Sequence, residues 1–511
     1  MQQEQIQKQN KMGTMPCNKL LITVAFPIIV SMLVQAMYNI VDSIFVARIS
    51  DEALNAVSLA FPLQNLIIAI AVGTGVGTNA VLSKALGARQ FDRVNRVSGN
   101  SLVLALLSGV AIMLFGLFGS RAYFTMQTDM TQVIDMGEKY VFIVCVFSFG
   151  VFMQVAVERL LQSTGKTLLS MAMQLTGAVT NIVLDPILIF GYCGMPKMGV
   201  AGAAIATVIG QFLAMTVGLG LHFGLNKEIR IKLKDLIPSG AIIKQIYMIG
   251  VPAILMSSLA SVMVLGLNRI LLGFNTEEQL IGMTATNVLG IYFKLQSFVF
   301  MPTFGLTNGM VPIVAYNYGA RNRDRIVKTI RLSMIYAVAI MLIGLVVVQA
   351  IPGPLLRMFS ASEEMMDVGI TALRIISISF VVAGFNIVCS STYQALGNSV
   401  YSLLISIARQ LVIILPVAWL LSLTGRLEAV WWAIPVAEAL CVGLCLVFLR
   451  LILRRISPER MGHPAAQMLS ERQAPDAGDD PTDALAETDD TPTQGGEEPP
   501  QNSMGEVCAP D

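Results

Sequence analysis

Gly87-Ala88-Arg89-x-x-Asp92-Arg93 recurs downstream as Gly319-Ala320-Arg321-x-x-Asp324-Arg325, and the offset between the two copies is 232 residues. The same offset carries Asp135-x-Gly137 onto Asp367-x-Gly369, and Gln162 with Gly165 onto Gln394 with Gly397. Three separated anchors at one spacing define a duplicated unit. Pro27 and Pro252 mark the first apolar stretch of each copy at an offset of 225, which places a short indel near the start of one half.

Around these anchors, apolar runs alternate with charged or Pro/Gly-rich breaks. They predict twelve spans near 20–47, 54–82, 97–119, 136–162, 168–192, 199–223, 245–272, 281–311, 329–350, 368–394, 400–422 and 429–453. Each is long enough to cross a hydrocarbon core about 30 Å thick. The second, fourth and eighth are interrupted by Gly, Pro or polar residues. Hydrophobic residues make up 55% of the 511-residue chain and charged ones 13%, against roughly 25% charged in a soluble domain. The fold class is therefore an all-α membrane protein of two six-helix repeats. Six spans per half put both halves into the membrane in the same sense, related by an axis along its normal, with a substrate route expected between them.

Net charge is +1, yet residues 457–511 hold thirteen Asp or Glu against Arg460 and Arg472. That acidic tail lacks the apolar residues to build a core, and its composition predicts disorder. The remaining chain divides into an N-terminal segment (1–18), a first lobe (19–234) and a second lobe (235–456). Basic residues crowd alternate loops: Lys84, Arg89, Arg93 and Arg96 after span 2, Lys227 to Lys244 after span 6, and Arg321 to Arg331 after span 8. The intervening loops are poor in them. Positive-inside reasoning places the basic loops and both termini in the cytoplasm. No small-residue cleavage pattern follows the first apolar run, so it reads as a retained span.

Several function classes fall away. Two His and seven scattered Cys without a Cys-x-x-Cys pair make neither a metal site nor a redox motif. No phosphate-binding Lys-Ser/Thr loop appears. Gly73-x-Gly75-x-Gly77 lies inside an apolar helix, where it reads as close helix packing. The chain is not read as an enzyme.

Four motifs in order then carry a resemblance. Span 1 reads Gln35-Ala36-Met37-Tyr38-Asn39-Ile40-Val41-Asp42, and span 5 reads Asn181-Ile182-Val183-Leu184-Asp185-Pro186. Span 6 opens Gly199-Val200-Ala201-Gly202 and continues to Thr207, and the loop after span 8 reads Asn317-Tyr318-Gly319-Ala320-Arg321. Over residues 18–455 the chain resembles the multidrug and toxic compound extrusion (MATE) family, in its DinF-like branch. The resemblance implies a V-shaped pair of six-helix lobes in the plasma (inner) membrane. It implies antiport of a small, amphipathic organic cation against protons or sodium by a monomer, with no cofactor and no nucleic-acid partner beside the lipid bilayer. A flippase for lipid-linked sugars, sharing the fold, is the alternative.

A carboxylate inside the bilayer costs roughly 2.5–3.5 kcal/mol and so tends to mark function. Asp42 and Asp185 are the clearest cases. Gln35, Tyr38, Asn39 and Asp42 share one helical face, and Asn181 and Asp185 another. The resemblance assigns ion coupling, or a sodium site, to Asp42, Asn181, Asp185 and Thr207. Two neighbouring carboxylates cannot both ionise cheaply in a dry site, so one can carry a proton; the same oxygens also suit sodium. A plainer reading has Asp185 satisfying backbone groups freed by Pro186. The second half shows no such pair: Leu415-Pro416 stands where Asp185-Pro186 does, and Asn268 lies in the region opposite Asp42. Instead it carries Lys294, Arg374, Arg409 and Glu438, expected either to form buried ion pairs or to line the substrate cleft.

Overall fold

The computed structural model describes residues 10–275, 280–359 and 361–456; the acidic tail at 457–511 lies outside the described residues. Every regular element among them is helical. After one turn, α1 (Lys11–Thr14), the first half runs through α2 (Cys17–Ala47), α3 (Asp51–Gly87) and α4 (Phe91–Thr125). It continues with α5 (Thr131–Val146), α6 (Phe149–Ser163), α7 (Thr167–Phe190) and α8 (Val200–Leu225). The second half comprises α9 (Gly240–Leu272), α10 (Ile281–Gly319), α11 (Arg323–Ala350), α12 (Pro352–Arg357), α13 (Glu363–Ser377) and α14 (Phe380–Ala395). The chain then passes through α15 (Ser399–Ile407), α16 (Ile414–Ser422), α17 (Leu427–Val430) and α18 (Ala433–Arg455).

Among the described residues ten helical runs are long and apolar enough to cross a membrane, and α5–α6 and α13–α14 each pass the same test as a pair, bent by 44° and 50°. The two bends fall one repeat apart. At the first, Ser148 turns its hydroxyl to the Gly109 carbonyl of α4 at 3.3 Å. At the second, Ser377 and Ser379 bond the carbonyls of Arg374 and Ile376 three residues back, at 3.1 and 2.7 Å. At the second bend these local hydroxyl-to-carbonyl bonds compete with the helix ladder and favour bending, whereas the Ser148 bond ties the first bend to α4. The sequence marked an interruption in the fourth span but none in the tenth. Several helices also outrun the predicted spans: α10 reaches Gly319, two turns past the expected end at 311.

The halves interlock reciprocally. α2 packs along α10 and α3 along α9, with α3 also against α10. Small residues permit this. A Cβ on Gly305 or Gly309 would stand 2.7 Å from the Cα of Ile29 or Ala25, and one on Gly77 would strike the Ile246 carbonyl. The glycine-rich run at 73–77 is thus a packing face, as its apolar setting suggested. Where the repeated motif ends α3 and α10, a Cβ on Gly87 would collide with the Tyr316 carbonyl, and one on Gly319 with that of Lys84. Lys84 and Tyr316 are themselves repeat mates. Arg89 and Arg321 then terminate the two helices in the left-handed region, at φ 57° and 54°.

The N-terminal segment joins this basic end of the bundle. Met12 is fully buried; its carbonyl accepts from Asn317 at 3.2 Å and Arg325 at 2.9 Å. Asn10 donates to the Thr164 carbonyl at 3.2 Å and to Glu228 at 2.5 Å. Residues 10–16, ahead of the first span, therefore tie together both halves.

Candidate ion-coupling site

α7 packs against both α2 and α8, and Asn181 and Asp185 lie one turn apart on its buried side, 3% and 0% exposed. Asn181 Nδ2 donates to Asp185 Oδ1 at 3.2 Å and to Thr207 Oγ1 on α8 at 3.3 Å. Gly210 and Gly177 allow the two helices to approach closely enough for that bridge. With its amide committed twice, Asn181 leaves its oxygen free. Asp42 on α2 is half-buried and stands within electrostatic range of Asp185.

Three oxygens of this cluster, Asp42 Oδ1, Asn181 Oδ1 and Asp185 Oδ2, are buried without a hydrogen-bond partner. Leaving one buried acceptor unpaired costs about 1–3 kcal/mol, so three together favour uptake of a proton or a cation. The backbone-satisfying reading of Asp185 finds no support: one of its oxygens is bound by Asn181 and the other by nothing. Carboxylate, amide and hydroxyl oxygens are ligands for hard cations. Among the described residues no three His, Cys, Asp or Glu gather in metal-holding range.

Gln35 and Tyr38 are half-buried on the Asp42 side of α2, and Tyr38 lies within electrostatic range of both carboxylates. Asn39 is exposed. Two neighbours escaped the sequence reading. Tyr140 on α5 is 2% exposed, feels both carboxylates, and accepts a 2.7 Å bond from Gln64 on α3. Gln64 and Asn65 form a polar pair in an apolar run two residues after Pro62, and that was the available signal. Glu158 and Arg159 were also passed over. Both are buried on α6, bridged by Gln162 through two 2.7 Å bonds.

In the second half, Arg409 Nη1 contacts Glu438 Oε1 at 2.9 Å, and Asn386 donates to the other carboxylate oxygen at 2.7 Å. Arg409 emerges from a π-helical widening at Ala408–Ile413, between α15 and α16. Both Glu438 oxygens are thereby satisfied. Lys294 and Arg374 depart from the ion-pair expectation. Both are exposed with no carboxylate partner among the described residues, and Lys294 Nζ sits 5.8 Å from the centroid of the Phe359 ring. Asn268 is half-buried.

The MatE family model matches residues 27–187 and 252–420, one stretch in each repeat. The chain is 26% identical over 443 residues to the multidrug export protein MepA of Staphylococcus haemolyticus (strain JCSC1435), covering 86% of this chain and 95% of that protein. It is 25% identical over 444 residues to MepA of Staphylococcus aureus (strain MSSA476), again covering 95% of the relative. A solved outward-facing multidrug resistance MATE family transporter of the MOP superfamily superposes with a TM-score of 0.82 at 25% identity, covering 88% of this chain and 98% of that one.

The fold and these matches define a multi-pass membrane transporter rather than an enzyme. The chain belongs to the MatE family, whose members are antiporters that export small molecules against protons or sodium.

Proposed function

We propose that this chain exports an amphipathic organic cation in exchange for a proton or sodium ion bound by Asp42, Asn181, Asp185 and Thr207. The observation that carries the reading is the set of three unpaired buried oxygens. Gln35, Tyr38, Tyr140 and Gln64 support that cluster.

Two lobes, 19–234 and 235–456, rock about the packed basic end. Positive-inside bias places that end and both termini in the cytoplasm of a plasma-membrane protein, and one chain supplies both lobes, so a monomer suffices. With Asp42 and Asp185 empty and ionised, their repulsion and desolvation disfavour close packing of α2 on α7. Binding of the ion removes that penalty and favours a different arrangement of α2, α7 and α8. A tenfold proton gradient contributes about 1.4 kcal/mol per proton, and 100 mV adds about 2.3 kcal/mol per charge moved. Exchange of one ion for one monovalent cation moves no net charge, so a tenfold ion gradient alone sustains about a tenfold concentration ratio, and the voltage contributes only if more than one ion is exchanged per cation. The carboxylate pair occurs only in the first half, which agrees with the DinF-like branch.

The test is efflux of a fluorescent organic cation from cells expressing Asp42→Asn or Asp185→Asn. Coupled export is expected to disappear in both while membrane expression persists. Wild-type efflux rates in both variants would refute the assignment.

A further inference from the structure

Away from the carboxylate cluster, a cavity of about 550 Å³ opens at the basic end, and a second of about 250 Å³ adjoins it. Lys84 of α3, Arg93 of α4, Arg321 of the α10–α11 turn and Arg455 of α18 line the larger cavity, and no carboxylate lines either one. Both repeats contribute two of these cations. The four converge from four separate elements, so the arrangement is a product of the fold rather than of one basic loop.

Positive-inside bias accounts for cations at this end of the bundle but not for their convergence on one cavity without a carboxylate. Basic residues commonly sit at helix C-termini, where the dipole favours them. Arg93, however, lies in the first turn of α4, which begins at Phe91, and there the dipole disfavours a cation. Its guanidinium is positioned by neutral groups, Gln245 at 2.6 Å and Gln90 at 3.3 Å. Lys84 is likewise held by a neutral partner, 4.7 Å from the centroid of the Tyr318 ring. These contacts orient charge without cancelling it.

We propose that this cavity binds a phosphate group, as a phospholipid headgroup or a soluble phosphate ester, which bridges Lys84 and Arg93 of one half to Arg321 and Arg455 of the other. Guanidinium forks match phosphate oxygens. The bound anion screens four like charges and holds α3, α4 and α18 together where Gly87 and Gly319 make the reciprocal contact. None of the four cations belongs to the ion-coupling cluster.

The full chain in nanodiscs tests this. Thermal unfolding midpoints are compared in phosphatidylcholine discs with and without added pyrophosphate at matched ionic strength, and in discs containing phosphatidylglycerol. The same series is run on Arg321→Gly/Arg455→Gln, and on Arg93→Gln should the double variant fail to fold. Arg321→Gly keeps the left-handed turn accessible. A midpoint rise in wild type that is lost in the variants supports the site, with affinity weakened at least about tenfold, or about 1.4 kcal/mol. A rise with pyrophosphate assigns a soluble ligand; one confined to phosphatidylglycerol, with retained lipid seen by native mass spectrometry, assigns a headgroup. No rise in either arm, or an equal rise in wild type and variants, overturns the proposal.

Discussion

The Arg409 guanidinium lies 2.9 Å from the Glu438 carboxylate, whereas Asp185, equally deep in the bundle, has an amide and an unpaired oxygen but no cation beside it. Glu438 and Asp185 thus stand in opposite electrostatic conditions. Glu438 is neutralised by its neighbour and saturated by Asn386. Asp185 has capacity left for a proton or a metal ion.

That contrast predicts a separation of roles. Glu438→Gln is expected to keep its dependence on the coupling ion. Arg409→Met, which strands a buried charge, should destabilise the protein by about 3–5 kcal/mol. Thermal unfolding and ion-dependent transport of the two variants check both outcomes. Loss of ion dependence in a stable Glu438→Gln protein would move the coupling site to the second half.

Close backbone contact at the basic end yields a steric prediction. Gly87→Ala and Gly319→Ala place a methyl group against the Tyr316 and Lys84 carbonyls. Overpacking of this kind costs about 1–3 kcal/mol. Each variant should unfold at lower temperature, and cysteine pairs spanning α3 and α10 should cross-link more slowly than in wild type. Unchanged melting and cross-linking in both would show that the contact is looser than described.

A pH effect follows from the N-terminal tie. Burial holds the Glu228 carboxyl above its ordinary 4.5, against the opposing influence of Asn10, Lys166 and Lys11. The folded chain therefore retains a proton that the unfolded chain has released. This contribution is fully present below pH 4.5 and fades as pH rises through the folded value. Glu228→Gln keeps a partner for Asn10 and removes the titration. Its unfolding midpoint should exceed that of wild type near neutral pH, and the difference should vanish in acid. A constant difference across the range would assign the effect to something other than this carboxyl.

Much of the fold was legible because repeats and bilayer-length apolar runs are strong signals. The offset of 232 fixes two six-helix units, and interruptions by Ser and Gly do not hide the number of crossings. What escaped depends on neighbours. The bend before α14 rests on Ser hydroxyls that look ordinary in sequence, and the widened turn at Arg409 has no local signature. In the site, helical spacing placed Gln35, Tyr38 and Asp42 together but put Asn39 with them, although it is exposed. Periodicity defines a face and not what covers it. Tyr140 and Gln64 meet the cluster from α5 and α3, a long-range encounter that no spacing within one helix encodes. Lys294 and Arg374 drew attention as embedded cations, yet both reach exposed positions, as long side chains do when they snorkel.

The central claim is that Asp42 and Asp185 couple the ion to export. Its most direct measurement is uptake of a radiolabelled organic cation into proteoliposomes, with proton and sodium gradients imposed separately on wild type, Asp42→Asn and Asp185→Asn. The expected result is uphill movement in wild type driven by one of the two gradients, with both variants reduced to gradient-independent exchange. Gradient-driven accumulation that survives in Asp185→Asn at the wild-type level would contradict it.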